Sequence, residues 1–327
     1  MSVTRLSMNQ PVSNFAAPLN DLAVIEITGN DAVSFLHGQL THDIAGLGQG
    51  QARLAGYCTA KGRLLATLLI WHDDNDGAPV LRAMLKADIA AALVKRLTMF
   101  ILRAKVGITL TKLEVTGVAL ERHDAASAQS LGAPTIPDDT PAYTTLRHNG
   151  ATWILAPGAT AQNIRWWVVD TAPPAQADPL SRPLWQAADI AAGLPWVEAA
   201  TQDTFIPQTL NLDLIDGVSF TKGCYPGQEV VARSHYRGTV KRRMAYGVAN
   251  ASPQLAGQNA ALAGMDIYNA LQPDNPCGRV VNAAIAGDTL AMLLEIQLGD
   301  LETAHFRLGS ASGSPIEIKP LPYALVA

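Results

Sequence analysis

Cysteine is scarce in this 327-residue sequence, and no long apolar run occurs in it. The three cysteines, Cys58, Cys224 and Cys277, form no CxxC motif. This excludes a disulfide framework and a CxxC-type zinc site, and it indicates a reducing compartment. Polar residues interrupt every apolar run well short of the roughly 18 residues that a transmembrane helix needs. The N-terminal residues also lack the apolar core of a signal peptide, so the sequence predicts a cytoplasmic protein with no membrane partner.

Charge is sparse as well. Charged residues make up 16% of the chain and hydrophobic residues 48%, a balance typical of a globular protein with a large core. A chain of this length exceeds what one core normally supports, so two or three domains are expected. The formal net charge is −4. A role in binding polyanions would therefore need a local basic patch.

Strand and helix patterns mix without a regular βαβ rhythm before residue 240, which favours an α+β fold. Apolar runs predict strands at 23–27, 54–58, 64–71, 80–85, 105–110 and 113–120. Helices are expected from Asn30 or Asp31 to about Leu40, from Asp88 to Met99, and from Arg182 to about Ala192. Asp73 and Asp74 are assigned to a solvated loop.

The pattern changes after about residue 240. Short apolar runs separated by Gly, Pro, Asn and Asp occur at 244–249, 265–271, 279–285, 289–297, 304–308 and 315–319. They predict a small all-β barrel or sandwich.

The segment 218–237 carries the most reactive chemistry. Its glycines and proline force a turn, residues 228–235 have helical composition, and Pro226 suits the first helical position. Cys224 would then lie between Lys222 and a helix N-terminus, both of which favour thiolate over thiol. Such a cysteine can be a nucleophile or a soft-metal ligand. The alternative is a small buried residue in a tight turn.

A basic strip follows the same loop. Between residues 222 and 243 there is one acid, Glu229, against six cations: Lys222, Arg233, Arg237, Lys241, Arg242 and Arg243. The strip could hold the glutamate tail of a folate or the phosphates of RNA. The alternative is an ordinary solvated face. His37 and His42 lack a partner acid at metal-ligand spacing, so no metal site is proposed.

The residues around Cys224 resemble the signature of the folate-binding YgfZ family, whose mitochondrial relatives assist iron–sulfur cluster assembly: Lys222-Gly223-Cys224-Tyr225-x-Gly227-Gln228-Glu229-x-x-x-Arg233. Further segments resemble the family in order: Thr28-Gly29-x-Asp31, Gln39-x-Thr41-x-Asp43, Lys61-Gly62-Arg63, Phe205-Ile206-Pro207-Gln208, Asn211-Leu212 and Pro320-Leu321-Pro322-Tyr323-x-Leu325. The resemblance therefore covers nearly the whole chain.

The family is similar in fold to the glycine cleavage T-protein, a tetrahydrofolate-dependent aminomethyltransferase. The resemblance implies two α+β lobes within 1–238 around a central folate pocket, and a C-terminal β-barrel within 239–327. It also implies an accessory protein that binds tetrahydrofolate or another folate. Such a protein would support iron–sulfur cluster assembly or repair and thereby tRNA modification. Its expected partners are iron–sulfur enzymes or assembly factors, with tRNA through 222–243 as a further candidate.

Roles for single residues follow from the same resemblance. Cys224 is the functional thiol, tuned by Lys222. Gln228, Glu229 and Arg233 shape the loop or contact the ligand. Trp185 occupies the position of a Trp associated with folate, where its indole could stack on a pterin or aminobenzoyl ring. The alternative for Trp185 is a core residue, and Trp166 and Trp167 are expected to be packing residues.

Two departures argue against the T-protein reaction. Residues 63–68 carry no carboxylate where that enzyme has its acidic pair, so the proton-handling group is missing. Ala191 stands where T-protein has the Glu that recognises the pterin, and Asp189 is expected to point to another helix face. A folate-dependent one-carbon transferase or demethylase remains an alternative if Asp43 or Asp189 supplies the acid. A tRNA-binding protein that uses 222–243 is the other.

Overall fold

The computed structural model describes residues 14–73, 80–158, 160, 162–172, 176–238, 240–251 and 259–325. Their strands form three antiparallel sheets, of five, five and six strands. No helix in these ranges is long and apolar enough to cross a membrane.

The first sheet has the strand order β3-β4-β5-β2-β6. Its strands are β2 (Leu22–Thr28), β3 (Ala52–Cys58), β4 (Leu64–His72), β5 (Val80–Lys86) and β6 (Gly107–Leu110), with helices α1 (Ala32–His37) and α2 (Ala87–Thr98). Ile89, Leu93 and Leu97 recur at helical spacing in α2 and join the buried cluster beside this sheet. The predicted strands and α2 are confirmed, whereas α1 ends at His37 rather than near Leu40.

The second sheet has the order β1-β7-β10-β9-β8. Its strands are β1 (Phe15–Pro18), β7 (Glu114–Glu121), β8 (Thr145–His148), β9 (Ala151–Leu155) and β10 (Asn163–Asp170), with helices α3 (Ala125–Ser130) and α4 (Arg182–Ala191). Strand β10 is buried on both faces, because Trp166 belongs to one core cluster and Trp167 to another. Both tryptophans are fully buried, which confirms their expected packing role.

The third sheet contains all six strands predicted after residue 240. They are β11 (Arg242–Asn250), β12 (Asp266–Asn269), β13 (Gln272–Ala286), β14 (Thr289–Gln297), β15 (Phe306–Leu308) and β16 (Glu317–Lys319), with the short helix α6 (Asn259–Leu262) before β12. The sheet runs from β15 to β16. Backbone bonds from Leu308 N to Ser314 O and from Ile316 N to Phe306 O join its two edges into a barrel.

A long segment between α4 and helix α5 (Gln228–Tyr236) ties the lobes to the barrel. The buried side chain of Asn211 bonds both backbone groups of Met244, donating to its oxygen and accepting from its nitrogen. Gln208 donates to the carbonyl of Val231 in α5. These contacts give a structural role to two segments that carry the family resemblance. The domain boundary at 238/239 stays a prediction.

The assignment of Asp73 to a solvated loop is wrong. Its carboxylate is buried and pairs with Arg82, and it lies 3.6 Å from the guanidinium of Arg147. Asp74 lies outside the described residues.

Gly117 of β7 permits the close approach of α4. A methyl group at this position would lie 2.4 Å from the Trp185 ring. We expect Gly117→Ala to lower the free energy of unfolding by roughly 1 to 3 kcal/mol, since overpacking displaces the ring. Urea denaturation tests this against Gly299→Ala, where the added methyl meets nothing within 4 Å. Equal stabilities of the two variants would contradict the packing argument.

Candidate functional site

A cavity of about 580 Å³ opens where α4, the starts of β2 and α2, and strand β13 meet. The groups that give it chemical character are Trp185, Asp189, Asp21, Lys86, Glu198 and Asn282. Its volume is within the usual range for small-molecule sites.

Ion pairs organise the polar wall of this cavity. Lys86 Nζ lies 2.9 Å from Asp21 Oδ2 and 3.8 Å from Glu198 Oε1. Asn282 Nδ2 donates to Glu198 Oε1 over 2.6 Å. Burial raises the pKa of Glu198 despite Lys86, whereas for Asp21 burial is outweighed by Lys86 and its pKa is lowered. The wall therefore presents two carboxyl groups with opposite tendencies to hold a proton.

Asp189 and Ala191 lie on different helix faces, as expected, but it is Asp189 that faces the cavity, so the inference that its face lies away from the ligand site is wrong. It lies four residues after Trp185 in α4, on the same face, and Ala191 is not among the lining residues. Its carboxylate pairs with Arg165 at 2.9 Å and accepts from Trp196 Nε1 at 3.2 Å. Burial raises the pKa of Asp189, although Arg165 opposes the shift.

Trp185 is both a core residue and a cavity residue. Only 1% of it is exposed, and Arg165 lies over its ring at 4.6 Å. Trp167 packs edge-on at 6.0 Å. The indole Nε1 is buried and has no hydrogen-bond partner in the described part of the chain. The same is true of Nε1 in Trp71, Trp166 and Trp167, but Trp185 is the one of these four that lines the cavity, where its donor is suited to a ligand acceptor.

The Cys224 loop lies elsewhere, against the end of α1. Cys224 is exposed. Lys222 Nζ donates to the carbonyls of His37 and Leu40. Burial lowers the pKa of Lys222 to about 8, while Asp43 and Cys224 act in the opposite direction. The predicted neighbourhood of thiol and ammonium is therefore present, but none of the described residues between 199 and 281 lines the cavity.

Two glycines allow this loop to dock on the β3–β4 turn. Gly227 has a φ of 81°, and a methyl group there would lie 2.4 Å from the carbonyl oxygen of Thr59. A methyl on Gly62 would lie 2.9 Å from Val230. Helix α5 begins at Gln228 with Gly227 as its N-cap, so the placement of Pro226 at the first helical position is wrong.

Histidine and carboxylate groups accompany the loop. His37 Nδ1 lies 3.0 Å from Asp43 Oδ1, and His37 Nε2 lies 4.0 Å from the point where a methyl on Gly223 would sit. His42 likewise pairs with Asp216 at 3.1 Å. Both histidines thus have an acid partner, which the spacing analysis missed. Among the described residues, no group of three or more metal-ligating side chains forms.

The remaining predicted ligand residues lie on the exposed side of α5. Gln228 Nε2 donates to the carbonyl of Gly223 at 3.4 Å, which supports the loop. Glu229 and Arg233 pair with each other at 2.6 Å. None of the three lines the cavity, and their contact with a ligand stays a prediction.

The basic strip 222–243 is not one continuous solvated face. Arg242 pairs with Glu295 at 2.7 Å, and the buried Arg243 pairs with Asp213 at 2.6 Å. Arg233 pairs with Glu229, and Lys222 is bound by backbone carbonyls, so Arg237 and Lys241 are the cations of the strip with neither kind of partner within the described ranges. Ion pairs with acids from distant segments thus neutralise part of the positive charge that the sequence concentrates in 222–243.

Comparison with known proteins adds to this geometry. No protein-family model matches the chain. A tRNA-modifying protein YgfZ from Klebsiella pneumoniae (strain 342) is 32% identical over 340 residues, covering 99% of each chain. Its counterpart from Cronobacter sakazakii (strain ATCC BAA-894) is 32% identical over 345 residues with the same coverage. The chain belongs to the YgfZ family of tRNA-modifying proteins.

A solved structure shows the same fold as this YgfZ-family chain. The glycine cleavage system aminomethyltransferase T from Bartonella henselae aligns with a TM-score of 0.65, covering 94% of this chain and 86% of that one at 14% identity. At that identity the likeness concerns the fold alone. It confirms the predicted α+β architecture.

Sequence reasoning missed four cavity residues of this YgfZ-family protein: Asp21, Lys86, Glu198 and Asn282. They come from separate segments, and no local motif joins them. The family resemblance, which associates Trp185 with folate, was the feature of the sequence that pointed to this region.

The low pKa of Lys222 makes stability depend on pH. Because its pKa is about 8 in the folded chain against an ordinary 10.5, the unfolded chain binds more protons between these pH values, and stability rises with pH there. Relative to Lys222→Gln, we expect the wild type to gain on the order of 1 kcal/mol from pH 7.5 to 10.5, after allowance for solvent screening. Urea denaturation at each pH measures this. Lys61→Gln, which removes an exposed lysine from the adjoining turn, is the matched control, and a difference between wild type and Lys222→Gln that stays flat with pH would refute the shift.

The position of His37 predicts its effect on thiol reactivity. In a Cys277→Ser background the exposed Cys224 is the target of iodoacetamide, because Cys58 is buried and burial raises its pKa to about 12. We expect His37→Gln to slow alkylation at pH 7 by roughly 3- to 10-fold, since the imidazole can accept the thiol proton. His148→Gln, on β8, should leave the rate unchanged. Equal rates in all three proteins would exclude a role for His37.

Proposed function

We propose that this protein binds a reduced folate in the cavity beside Trp185 and acts in the cytoplasm as an accessory factor for tRNA modification. It would do so by supporting assembly or repair of iron–sulfur clusters in the modifying enzymes, with Cys224 as its working thiol. The observation that carries the proposal is the cavity itself. It joins a tryptophan with an unpartnered indole donor to one buried and two half-buried carboxylates, in a chain whose relatives are named tRNA-modifying proteins.

The cavity residues fit a folate chemically. A pterin carries adjacent N–H donors, which carboxylates bind well, and Asp189, Asp21 and Glu198 all line the cavity. Asp21 Oδ1 is buried without a hydrogen-bond partner among the described residues, so it can accept from a ligand. Tetrahydrofolate supplies one-carbon chemistry when it is bound. The chain itself supplies the acceptors and the aromatic wall.

The ion pairs favour the accessory role over one-carbon transfer. An amine-transfer reaction needs a carboxylate free to move a proton. Asp189 is in the cavity but is held by Arg165 and Trp196. Asp43 lies with the Cys224 loop, where it contacts His37. Neither candidate acid is both in the cavity and free of a cationic partner.

The exposure of Cys224 supports action on a macromolecular partner. An exposed thiol held by an ordered loop can reach a cluster or thiol on another protein, which a thiol inside a small-molecule cavity cannot do. Direct tRNA binding through 222–243 has less support, because four of the six cations are engaged in the fold.

Tetrahydrofolate binding tests the cavity assignment. In calorimetric titration we expect the wild type to bind and Trp185→Phe to bind at least about 10-fold more weakly, because the indole donor and part of the aromatic wall are lost. Trp166→Phe is the matched control. Trp166 is equally buried but lies in another core cluster and does not line the cavity. Absence of binding by the wild type, or an equal loss in both variants, would overturn the assignment.

Complementation tests the thiol. In cells that lack the protein, iron–sulfur enzymes that thiolate tRNA should lose activity, and Cys224→Ser should fail to restore it while Cys277→Ser succeeds. Normal tRNA thiolation in the deletion strain would count against the accessory role.

A further inference from the structure

The C-terminal end of α2 presents large apolar side chains to solvent. Met99 is 63% exposed, Phe100 48% and Leu102 89%. They follow the last turn of α2 directly, where Met99 N donates to the carbonyl of Arg96 and Phe100 N to that of Leu97. We define residues 95–105 as the α2 tip. Adjacent exposed apolar residues of this size mark interaction surfaces.

The chain segment that forms this surface carries cationic side chains and no acidic ones. From residue 89 to 113 the chain has five Lys or Arg and no Asp or Glu, in a protein of net charge −4. Lys95, Arg103 and Lys105 are exposed and form no ion pair within the ranges that the structure describes. Arg96 interacts with the hydroxyl of Tyr57. This differs from the strip 222–243, where three of the six cations form ion pairs and Lys222 is bound by backbone carbonyls.

The α2 tip is held in place by the first lobe. Lys105 N donates to Asp31 Oδ2 at 2.7 Å, and Asp31 N donates to the carbonyl of Lys105 at 3.3 Å. Gly29 has a φ of 103°, and a methyl group on it would lie 2.1 Å from the same carbonyl oxygen. Asp31 is the acid that adjoins the tip, and one of its oxygens is taken by a backbone N–H. The cations are therefore displayed on a fixed backbone.

We propose that the α2 tip is an RNA-docking surface, with Lys95, Arg103 and Lys105 on phosphates and Phe100 stacked on an unpaired base. A stretch of 25 residues with cations and no acid complements a polyanion, whereas a protein partner normally meets mixed charge. An exposed aromatic ring among cations is the arrangement that binds single-stranded nucleic acid. The proposal rests on the role in tRNA modification and names where the RNA would bind.

Fluorescence anisotropy with an end-labelled, unmodified tRNA transcript between 50 and 200 mM KCl tests the surface. The triple variant Lys95→Ala/Arg103→Ala/Lys105→Ala should bind at least roughly 10-fold more weakly. The slope of log affinity against log salt should become shallower by about 2 to 3, because three phosphate contacts are lost. Phe100→Ala should lower affinity several-fold and leave the slope unchanged, since stacking is not ionic.

The matched control removes the same charge from the other basic region. Arg233→Ala/Arg237→Ala/Lys241→Ala should change tRNA affinity less than about 2-fold. Circular dichroism and urea midpoints establish that all variants fold, and the α2-tip variants should still bind tetrahydrofolate like the wild type.

Several results would overturn the proposal. One is the absence of tRNA binding by the wild type, and another is an equal loss of tRNA affinity in the two triple variants. A third is binding of the α2 tip to phosphatidylglycerol vesicles, together with a tRNA affinity that the tip substitutions leave unchanged. Tetrahydrofolate binding without tRNA binding would reject the docking surface and leave the folate cavity standing. Absence of tetrahydrofolate binding by the wild type, with tRNA binding present, would reject the cavity assignment and leave the docking surface standing.

Discussion

The buried ion pair between Arg165 and Asp189 holds the candidate cavity together. Arg165 comes from β10 and Asp189 from α4, and the guanidinium also covers the ring of Trp185. Breaking a buried pair leaves an uncompensated charge, which is strongly destabilising. The pair therefore fixes α4 against the second sheet, and with it the wall that carries both Trp185 and Asp189. Gly117 completes the constraint by letting the ring approach the backbone of β7.

A second, separate set of contacts holds the Cys224 loop in place. Gly227 and Gly62 bring two turns into backbone contact, and Lys222 is anchored on the carbonyls at the end of α1. The loop is ordered by these contacts, while Cys224 itself remains exposed. The cavity beside Trp185 and the exposed thiol of Cys224 are thus formed by separate sets of contacts. This separation fits the proposed function, in which a small molecule binds at one place and a larger partner is met at another.

Contacts between distant segments also determine which cations remain unpaired. In 222–243 the sequence concentrates cations, yet Arg242 and Arg243 meet Glu295 and Asp213, which lie far away in the chain. At the α2 tip no acid comes near enough to pair with Lys95, Arg103 or Lys105 in the described structure. A high density of cations in the sequence therefore does not by itself predict a positively charged surface. Ion pairs with distant acids offset part of the charge of 222–243, whereas the cations of the α2 tip have no such partners in the described structure.

Local pattern was sufficient for much of the fold. The barrel strands, α2 and α4 carry alternation, helical spacing or a terminating glycine within a few residues, so each could be predicted from its own segment. Strands β8 to β10 were not predicted, because β10 is buried on both faces and lacks alternation. The family motif at Cys224 likewise identified the loop and its neighbour Lys222. Tertiary structure alone decided that Asp73 is buried, that Asp189 faces the cavity, and that Asp21, Lys86, Glu198 and Asn282 complete it. Those outcomes depend on contacts between distant segments, and a local pattern does not encode which segments meet.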